Sequence, residues 1–280
     1  MRIQIEEIIA RAIEEDLGDG DHSSLSCIPA EAMGVAQLKV KEKGVLAGIE
    51  LATWVFNLID PTLKVDIRLP DGSRINPGDV AFYVSGSVRS ILAAERTVLN
   101  FMQRMSGIAT STDKMVQAME NSHCKLLDTR KTTPGMRIIE KWAVRIGGGV
   151  NHRMGLYDMI MLKDNHIDFA GGIENAINRT HDYLEKTGKS LKIEIETRSL
   201  RDVSEVLRIG GVNRIMLDNF TPELMYEAVN MIAGKYETEA SGMINITNIK
   251  EYASTGVDFI SSGALTHHIK SLDLSLKSVL

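Results

Sequence analysis

An arginine and a lysine stand side by side, at Arg130 and Lys131, shortly after a short apolar run. The run at 124–127 is typical of a buried strand, and the Thr-Pro-Gly sequence at 133–135 is typical of a turn. Two cations at the end of a strand could bind an anion, because guanidinium forms a planar fork for carboxylate or phosphate and ammonium is a compact point charge. From these residues alone, two solvated surface charges are an equally good interpretation.

After residue 124, apolar runs alternate with amphipathic helical segments, which predicts a parallel sheet with right-handed crossovers. We predict strands at 125–128, 159–163, 192–196, 214–218, 237–241 and 258–262, and helices at 136–146, 172–186, 199–209 and 222–232. About six such units favour an incomplete (β/α) barrel over an open sheet. In such barrels the site lies at the carboxyl ends of the strands, so the residues there become candidates.

Charged or small polar residues follow nearly all of these predicted strands. The candidates beyond Arg130 and Lys131 are Lys163, Glu194, Glu196, Asp218, Ser241-Gly242 and Ser262-Gly263, with His152 and Arg153 after three glycines at 147–149. The two glutamates share one strand face, and Asp218 can meet Glu196 across the barrel mouth. Carboxylate pairs predict a Mg²⁺ site, although structural ion pairs with the nearby cations are the simpler interpretation. Late loops of small residues predict a phosphate site, and we find no Ser/His/Asp or Cys/His nucleophile set.

The first third of the chain has a different pattern. Alternating strands and turns predict an antiparallel sheet with a few helices, from strands at 35–41, 63–69 and 80–84 and a helix at 49–58. A long helix follows at 91–119, with a break predicted near Gly107. Its polar face carries Arg96, Asn100, Gln103 and Arg104. A solvated helix back is the simpler interpretation of that face, and a site or a subunit contact is the alternative.

Composition excludes several classes of protein. The 280 residues carry a net charge of -5 and have a sequence pI of about 5.8, which argues against a nucleic-acid partner. No apolar run approaches the roughly 20 residues of a membrane span. The two cysteines give neither a disulfide framework nor a zinc pattern. The first residues are not those of a signal peptide, so we expect a cytoplasmic location.

At these motifs the chain resembles the quinolinate phosphoribosyltransferase family. The matching stretches, in family order, lie at 94–100, 106–110, 128–135, 147–153, 162–166, 217–220 and 263–267. The resemblance implies an α/β protein with an N-terminal α/β sandwich at 1–105 and a C-terminal incomplete TIM-like barrel at 106–267. It also implies a C-terminal helix at 268–280 that returns to the N-terminal domain.

The resemblance implies a pentosyltransferase of NAD biosynthesis. The reaction would join quinolinate to 5-phosphoribosyl 1-diphosphate and yield nicotinate mononucleotide, pyrophosphate and CO₂. Residues implied around the quinolinate carboxylates are Arg96, Arg130, Arg153 and Lys163, with Thr129, Lys131 and His152 close by. Glu196 and Asp218 would hold the ribose hydroxyls or Mg²⁺, which arrives with the phosphoribosyl donor. The phosphate end would be held by Ser241, Gly242, Met243, Ser262, Gly263 and Ala264.

Catalytic roles are implied for Lys131, Lys163, Glu196 and Asp218, and the family further implies a homodimer in which Arg96 enters the site of the neighbouring subunit. Two alternatives are weighed against this function. The related protein encoded with molybdate-transport genes shares the barrel and the Arg-Lys-Thr motif, and the Lys-Asp-Asn-His run at 163–166 argues against it. A non-catalytic sensor of a nucleotide or carboxylate needs no metal pair, and Glu196 with Asp218 argues against that class.

Overall fold

The computed structural model describes residues 2–279. The chain divides into two compact units, one formed by the described residues of 1–113, 132–148 and 265–280, the other by 114–131 and 149–264. The predicted division places 1–105 and 268–280 in one domain and 106–267 in the other. The structure instead places 106–113, 132–148 and 265–267 in the first unit. Among the described residues, no helix is both long enough and apolar enough to cross a membrane.

Helices and strands are numbered in chain order. The helices are α1 Arg2–Leu17, α2 His22–Cys27, α3 Ile49–Ile59, α4 Val88–Ala118, α5 Arg137–Ile146, α6 Asp164–Ala170, α7 Ile173–Thr187, α8 Leu200–Ile209, α9 Pro222–Ile232, α10 Ile249–Ala253 and α11 Ala264–His267. The strands are β1 Met33–Val40, β2 Gly44–Val45, β3 Lys64–Ile67, β4 Arg74–Ile75, β5 Val80–Ser87, β6 Lys125–Leu127, β7 Ile160–Leu162, β8 Ile193–Thr197, β9 Arg214–Asp218, β10 Glu237–Ser241, β11 Phe259–Ser261 and β12 Leu274–Ser278.

The first unit is built on a four-stranded antiparallel sheet in the order β12-β1-β5-β3. Alternate side chains of β1, including Leu38 and Val40, are fully buried, as expected for a strand with one face on the core. The rings of Phe56 on α3 and Phe82 on β5 meet edge to face with centroids 5.8 Å apart. The predicted antiparallel sheet with helices is therefore confirmed.

The C-terminal helix predicted at 268–280 is wrong, because residues 274–278 form β12 and pair with β1 in antiparallel register. Leu272, Leu274 and Leu276 are buried while the residues between them are more exposed, which is the period of two of a strand. The tail does return to the N-terminal sheet, as predicted. Residue 280, the end of the predicted helix, lies outside the described residues.

The break predicted near Gly107 is also wrong, because α4 runs without interruption through this residue. A side chain at Gly107 would collide with the backbone carbonyl of Lys270, so the glycine provides a close approach of two chain segments. The polar face of α4 is not simply solvated either. Gln103 donates from Nε2 to the carbonyl of Leu274 at 2.9 Å, and Arg104 pairs with the fully buried Glu140.

The second unit is built on a parallel sheet of six strands among the described residues, in the order β6-β11-β10-β9-β8-β7. Helices follow these strands in the alternation that the sequence predicts. β6 and β7 occupy the two edges, so the sheet is an incomplete barrel, as predicted. Parallel strands place all their carboxyl ends on one side, and the residues beyond those ends are the candidate site.

Candidate active site at the carboxyl ends of the barrel strands

The loop after β6 is held by its own side chains. Asp128 is fully buried, and its Oδ1 accepts the backbone N–H of His152 at 2.9 Å. Thr129 Oγ1 accepts the backbone N–H of Lys131 at 3.0 Å. Arg130 is half-buried and Lys131 is exposed. The loop therefore carries two cations, and the hydrogen bond of Asp128 connects its backbone to His152, which follows the glycines at 147–149.

Arg153 lies beside Arg130 and is only 8% exposed. Its Nη1 donates to the carbonyl of Met159 at 3.1 Å. Burial and the charge of Arg130 lower the pKa of Arg153, although the carboxylates of Glu194 and Asp158 partly compensate. Two guanidinium groups held together against their repulsion form a site that an anionic ligand would stabilise.

Lys163 stands at the end of β7 and caps the amino end of α6. Its backbone N–H donates to Nδ1 of His166 at 3.0 Å, which fixes the turn between strand and helix. The side chain is exposed, and its charge acts to lower the pKa of Glu196. The structure thus brings this predicted cation near the predicted acidic pair.

Glu196 and Asp218, at the ends of β8 and β9, influence each other. Burial raises the pKa of Glu196, and the charges of Asp218 and Asp164 raise it further. Asn219 donates from Nδ2 to Oδ2 of Asp218 at 2.6 Å, which holds the second carboxylate in place. Two carboxylates that repel each other and are partly shielded from solvent are suited to a hard divalent cation, so the donor set fits Mg²⁺.

The loops after β10 and β11 are tightly built. Gly242 has φ +103, and a side chain there would collide with Asn219. Met243 follows with φ +50 and is 89% exposed. Ser262 is buried and its Oγ donates to the carbonyl of Ile244 at 2.6 Å. The Ser262 hydroxyl therefore holds the neighbouring loop, while Ser241, Gly242, Gly263 and Ala264 are half-buried around it.

His152 points away from solvent into a buried group of charges. Its Nε2 lies 3.1 Å from Oε2 of Glu194 and 3.3 Å from Oε2 of Glu239. Arg214 Nη1 lies 2.9 Å from Oε2 of Glu239, and its Nη2 lies 3.0 Å from Oε2 of Glu237. We call His152, Glu194, Glu239 and Arg214 the buried network. The first three are among the most buried charged residues of the chain.

The two glutamates of the network differ in how readily they ionise. Nδ1 of His152 accepts the backbone N–H of Arg153, so the proton of the ring lies on Nε2 and faces the two glutamates. Burial and the charge of Glu239 raise the pKa of Glu194 to about 7. Burial also raises the pKa of Glu239, but His152, Ser261 and Arg214 lower it to about 2. Glu239 is therefore the more readily ionised of the two glutamates.

Two members of the network, Glu239 and Arg214, were not predicted from the sequence. The strand register places Arg214 between glutamates, because Arg214 is opposite Glu194 on one side and Glu237 on the other, and Glu239 is two residues further along β10. One signal was present in the sequence, since a charged residue at the centre of a predicted buried strand must find a partner. Which partner it finds depends on register, which the sequence does not give.

Arg96 is the remaining predicted site residue. It is exposed on α4 and belongs to the first unit. Its predicted role in the site of a second copy stays a prediction.

Comparison with protein families finds two matching models. The quinolinate phosphoribosyl transferase N-terminal domain matches residues 21–106, and the C-terminal domain of the same family matches residues 108–277. Among curated proteins, a chloroplastic nicotinate-nucleotide pyrophosphorylase (carboxylating) of Oryza sativa subsp. japonica is 48% identical, over 98% of this chain and 77% of that protein. A probable nicotinate-nucleotide pyrophosphorylase of Bacillus subtilis is 38% identical over 98% and 93%.

Solved structures agree with these matches. The crystal structure of NadC from Streptococcus pyogenes superposes with a TM-score of 0.94 at 40% identity, covering 100% of this chain and 99% of that one. The nicotinate-nucleotide pyrophosphorylase of Francisella tularensis gives 0.93 at 37% identity, covering 100% and 97%. At these identities and coverages the similarity extends through both units of the chain.

Proposed function

Because this chain belongs to the quinolinate phosphoribosyl transferase family, we propose that it joins quinolinate to 5-phosphoribosyl 1-diphosphate and releases nicotinate mononucleotide, pyrophosphate and CO₂. This is a pentosyl transfer in the biosynthesis of NAD. Within this chain, the observation that carries the proposal is the pair of guanidinium groups of Arg130 and Arg153, which act on each other, on the same side of the parallel sheet as the acidic pair of Glu196 and Asp218.

The paired arginines suit a substrate with two adjacent carboxylates. Each charge-assisted hydrogen bond between guanidinium and carboxylate contributes about 1.5–3 kcal/mol. Lys163 adds a point charge at the end of β7, and Lys131 adds another on the loop after β6. Nicotinate has only one carboxylate, so it would leave part of this positive charge uncompensated. We therefore assign Arg130, Arg153, Lys131 and Lys163 to quinolinate, with Thr129 holding the loop.

The pyridine nitrogen of the substrate is the nucleophile, so the protein needs to position the two substrates and does not need to supply a nucleophile. The pyridine nitrogen forms a bond to C1 of the ribose as the C1–O bond to pyrophosphate breaks, so positive charge builds on the sugar. The carboxylate next to the nitrogen then leaves as CO₂, its bonding electron pair stays on the ring carbon where the adjacent positive nitrogen stabilises it, and that carbon takes a proton from water. Holding the two anionic substrates against each other removes much of the entropic barrier.

Glu196 and Asp218 are the residues that would hold Mg²⁺ brought with the phosphoribosyl donor, or the ribose hydroxyls. When bound, the ion would neutralise charge on the departing pyrophosphate. The two carboxylates fit this role because burial and the charge of Asp218 raise the pKa of Glu196, and a bound cation would offset both effects. Gly242 and Gly263 carry no side chain, and we assign this end of the site to phosphate, with Ser241, Met243, Ser262 and Ala264.

We include in the proposal a homodimer in which Arg96 reaches the site of the partner copy. Exposed apolar side chains support an interface on the second unit, since Leu156 and Tyr157 are each 71% exposed and Phe169 is 90% exposed. Arg96 is itself exposed and so available to a partner. The cytoplasmic location stays a prediction, because plant relatives are named as chloroplastic or mitochondrial proteins.

The test is an assay for pyrophosphate release. Purified protein is mixed with Mg²⁺, 5-phosphoribosyl 1-diphosphate and quinolinate, and nicotinate mononucleotide is identified by mass. We expect release with quinolinate and none above background with nicotinate. Quinolinate should also raise the melting temperature, while nicotinate should not. Turnover of nicotinate at the rate of quinolinate, or no turnover of either, would contradict the proposal.

A further inference from the structure

The buried network of His152, Glu194, Glu239 and Arg214 lies within the second unit. Glu194 and Glu239 are 0% exposed, and Arg214 is mostly buried, with its guanidinium over the ring of Phe259 at 3.9 Å. Burying four ionisable groups is costly unless each charge is compensated. The contacts of these four residues indicate what the fold gains from this burial.

The charges of the network disfavour a metal ion. Two carboxylates against one guanidinium carry a single net negative charge. A divalent cation is geometrically possible, since one ligand atom from each of His152, Glu194 and Glu239 lies within 4.8 Å of the others. Beside the guanidinium of Arg214, however, a divalent cation would leave a net positive charge in a dry interior. The charge balance therefore argues against a metal ion among these residues.

The network is joined to the candidate active site through the backbone of His152 and Arg153. The N–H of Arg153 donates to Nδ1 of His152 at 2.7 Å, while Nε2 of the same ring faces the two glutamates. The N–H of His152 donates to Asp128 at 2.9 Å. Contacts at both ring nitrogens and at the backbone fix the imidazole, and with it the start of the Arg153 side chain.

We propose that Glu194, Glu239 and Arg214 are positioning residues, which act through His152 to hold the Arg153 guanidinium in place for one carboxylate of the substrate. This inference rests on the proposed function. It changes the role expected for His152, because both of its ring nitrogens contact protein groups rather than the substrate side of the site. Arg153 must be held in this way because Arg130 repels it before the anion binds.

The decisive variant is Glu239→Gln, which keeps the size of the side chain and removes its charge. The matched control is Glu237→Gln, because Glu237 contacts the same Arg214 at 3.0 Å but is 41% exposed at its side chain and does not contact His152. We expect Glu239→Gln to raise the KM for quinolinate at least about tenfold, with kcat and the KM for the phosphoribosyl donor changed by less than about threefold. Glu237→Gln should leave all three near wild type.

A merely structural role would give a different pattern. Loss of folded protein lowers the apparent kcat and leaves both KM values unchanged, so an unchanged quinolinate KM in Glu239→Gln would overturn the inference. An equal rise in both KM values would overturn it too. So would a divalent metal found at one equivalent in the purified wild type and lost in Glu239→Gln, since the residues would then be a metal site.

A second measurement does not depend on turnover. Nitrogen-15 NMR of the histidine rings, assigned with His152→Gln, reports whether Nδ1 of His152 carries a proton. The inference requires Nδ1 to be an unprotonated acceptor at neutral pH, and a protonated Nδ1 would overturn it even if quinolinate were not the substrate. A wild-type protein that makes no nicotinate mononucleotide but shows the expected Nδ1 signal would instead contradict the proposed function alone.

Discussion

The guanidinium groups of Arg130 and Arg153 are held close enough that the charge of Arg130 lowers the pKa of Arg153. Like charges in contact destabilise a fold unless something opposes them. In this site the opposing groups are the carboxylates of Glu194 and Asp158, which act on Arg153 in the other direction. The folded protein thus keeps a strained pair of cations ready for a dianion.

The first prediction follows from this repulsion. Arg153→Ala should lose most activity, about 10- to 150-fold in kcat/KM for each charge-assisted hydrogen bond removed. The free protein should melt near or above the wild-type temperature, because a repulsion is relieved. Arg130→Ala should behave in the same way. Steady-state kinetics and thermal melts with and without quinolinate check both parts, and near-wild-type turnover at saturating substrate would show that the assigned role is wrong.

The second prediction concerns Arg96 and the proposed dimer. Neither Arg96→Ala nor Arg153→Ala homodimers should be active. If Arg96 acts across the interface, a mixed dimer contains one site with an intact barrel and an intact partner arginine. Unfolding and refolding the two variants together at equal amounts should therefore restore about a quarter of the wild-type activity.

The complementation result distinguishes two arrangements of the site. If Arg96 acted within its own subunit, both sites of the mixed dimer would carry a substitution, and mixing would restore nothing. Each variant refolded alone is the control, because it measures any activity that refolding restores without a mixed dimer. Sedimentation must show a dimer for wild type and for each variant, because a monomeric wild type would exclude the arrangement.

The sequence predicts the barrel strands well because each is a short apolar run followed by a functional group. The interval at 214–218 is predicted to the residue. The failures have physical causes. The tail at 274–278 is short and leucine-rich, and its alternation of Leu with Ser and Lys becomes decisive only once a partner strand is known. Gly107 resembles a helix break, but its cause is close approach to Lys270.

In the candidate site, too, some features could be predicted from the sequence and others could not. The positions of Arg130, Lys163 and Glu196 near strand ends could be predicted because the carboxyl ends of parallel strands lie on one side of the sheet, whatever the register. The partners of His152 could not, because Glu194 and Glu239 meet only through the order and register of β8, β9 and β10. Residues at the ends of strands can therefore be recognised in the sequence, whereas contacts between side chains of neighbouring strands cannot.

The third prediction separates the two ends of the site. Glu196→Gln should raise the KM for the phosphoribosyl donor and the Mg²⁺ concentration needed for half-maximal rate, each by roughly tenfold or more, because the acidic pair loses one charge. The affinity for quinolinate alone should stay within about threefold of wild type. Calorimetry with each substrate separately, and kinetics over a Mg²⁺ series, check both statements.

A matched control for this variant is Asp164→Asn. The charge of Asp164 also raises the pKa of Glu196, so its removal perturbs the same carboxylate without removing a proposed ligand. It should change the Mg²⁺ requirement by less than about threefold. If Asp164→Asn and Glu196→Gln had equal effects, general electrostatics rather than cation binding would explain the result.

The fourth prediction concerns the buried ion pair of the first unit. Arg104 donates from Nε to Oε1 of Glu140 at 2.8 Å, and Oε2 of Glu140 accepts the N–H of Thr133 at 3.2 Å. Removing one partner of a buried pair leaves an uncompensated charge and costs about 3–5 kcal/mol. Glu140→Ala should lose that much stability in urea unfolding. The exposed pair of Arg208 and Glu174 is the control, and Glu174→Ala should leave the midpoint of urea unfolding nearly unchanged because the pair is screened by solvent.

The last prediction is a pH dependence of stability from the buried network. Burial and the charge of Glu239 raise the folded-state pKa of Glu194 to about 7 from an ordinary 4.5, so protonation of Glu194 stabilises the fold fully below pH 4.5. That contribution is lost as the pH rises through about 7, and its size is at most about 3 kcal/mol. Glu239→Gln removes a charge that raises this pKa. The melting temperature should therefore fall less between pH 4.5 and 7 in Glu239→Gln than in wild type or Glu237→Gln, and parallel curves for all three proteins would show that Glu194 has no such raised pKa.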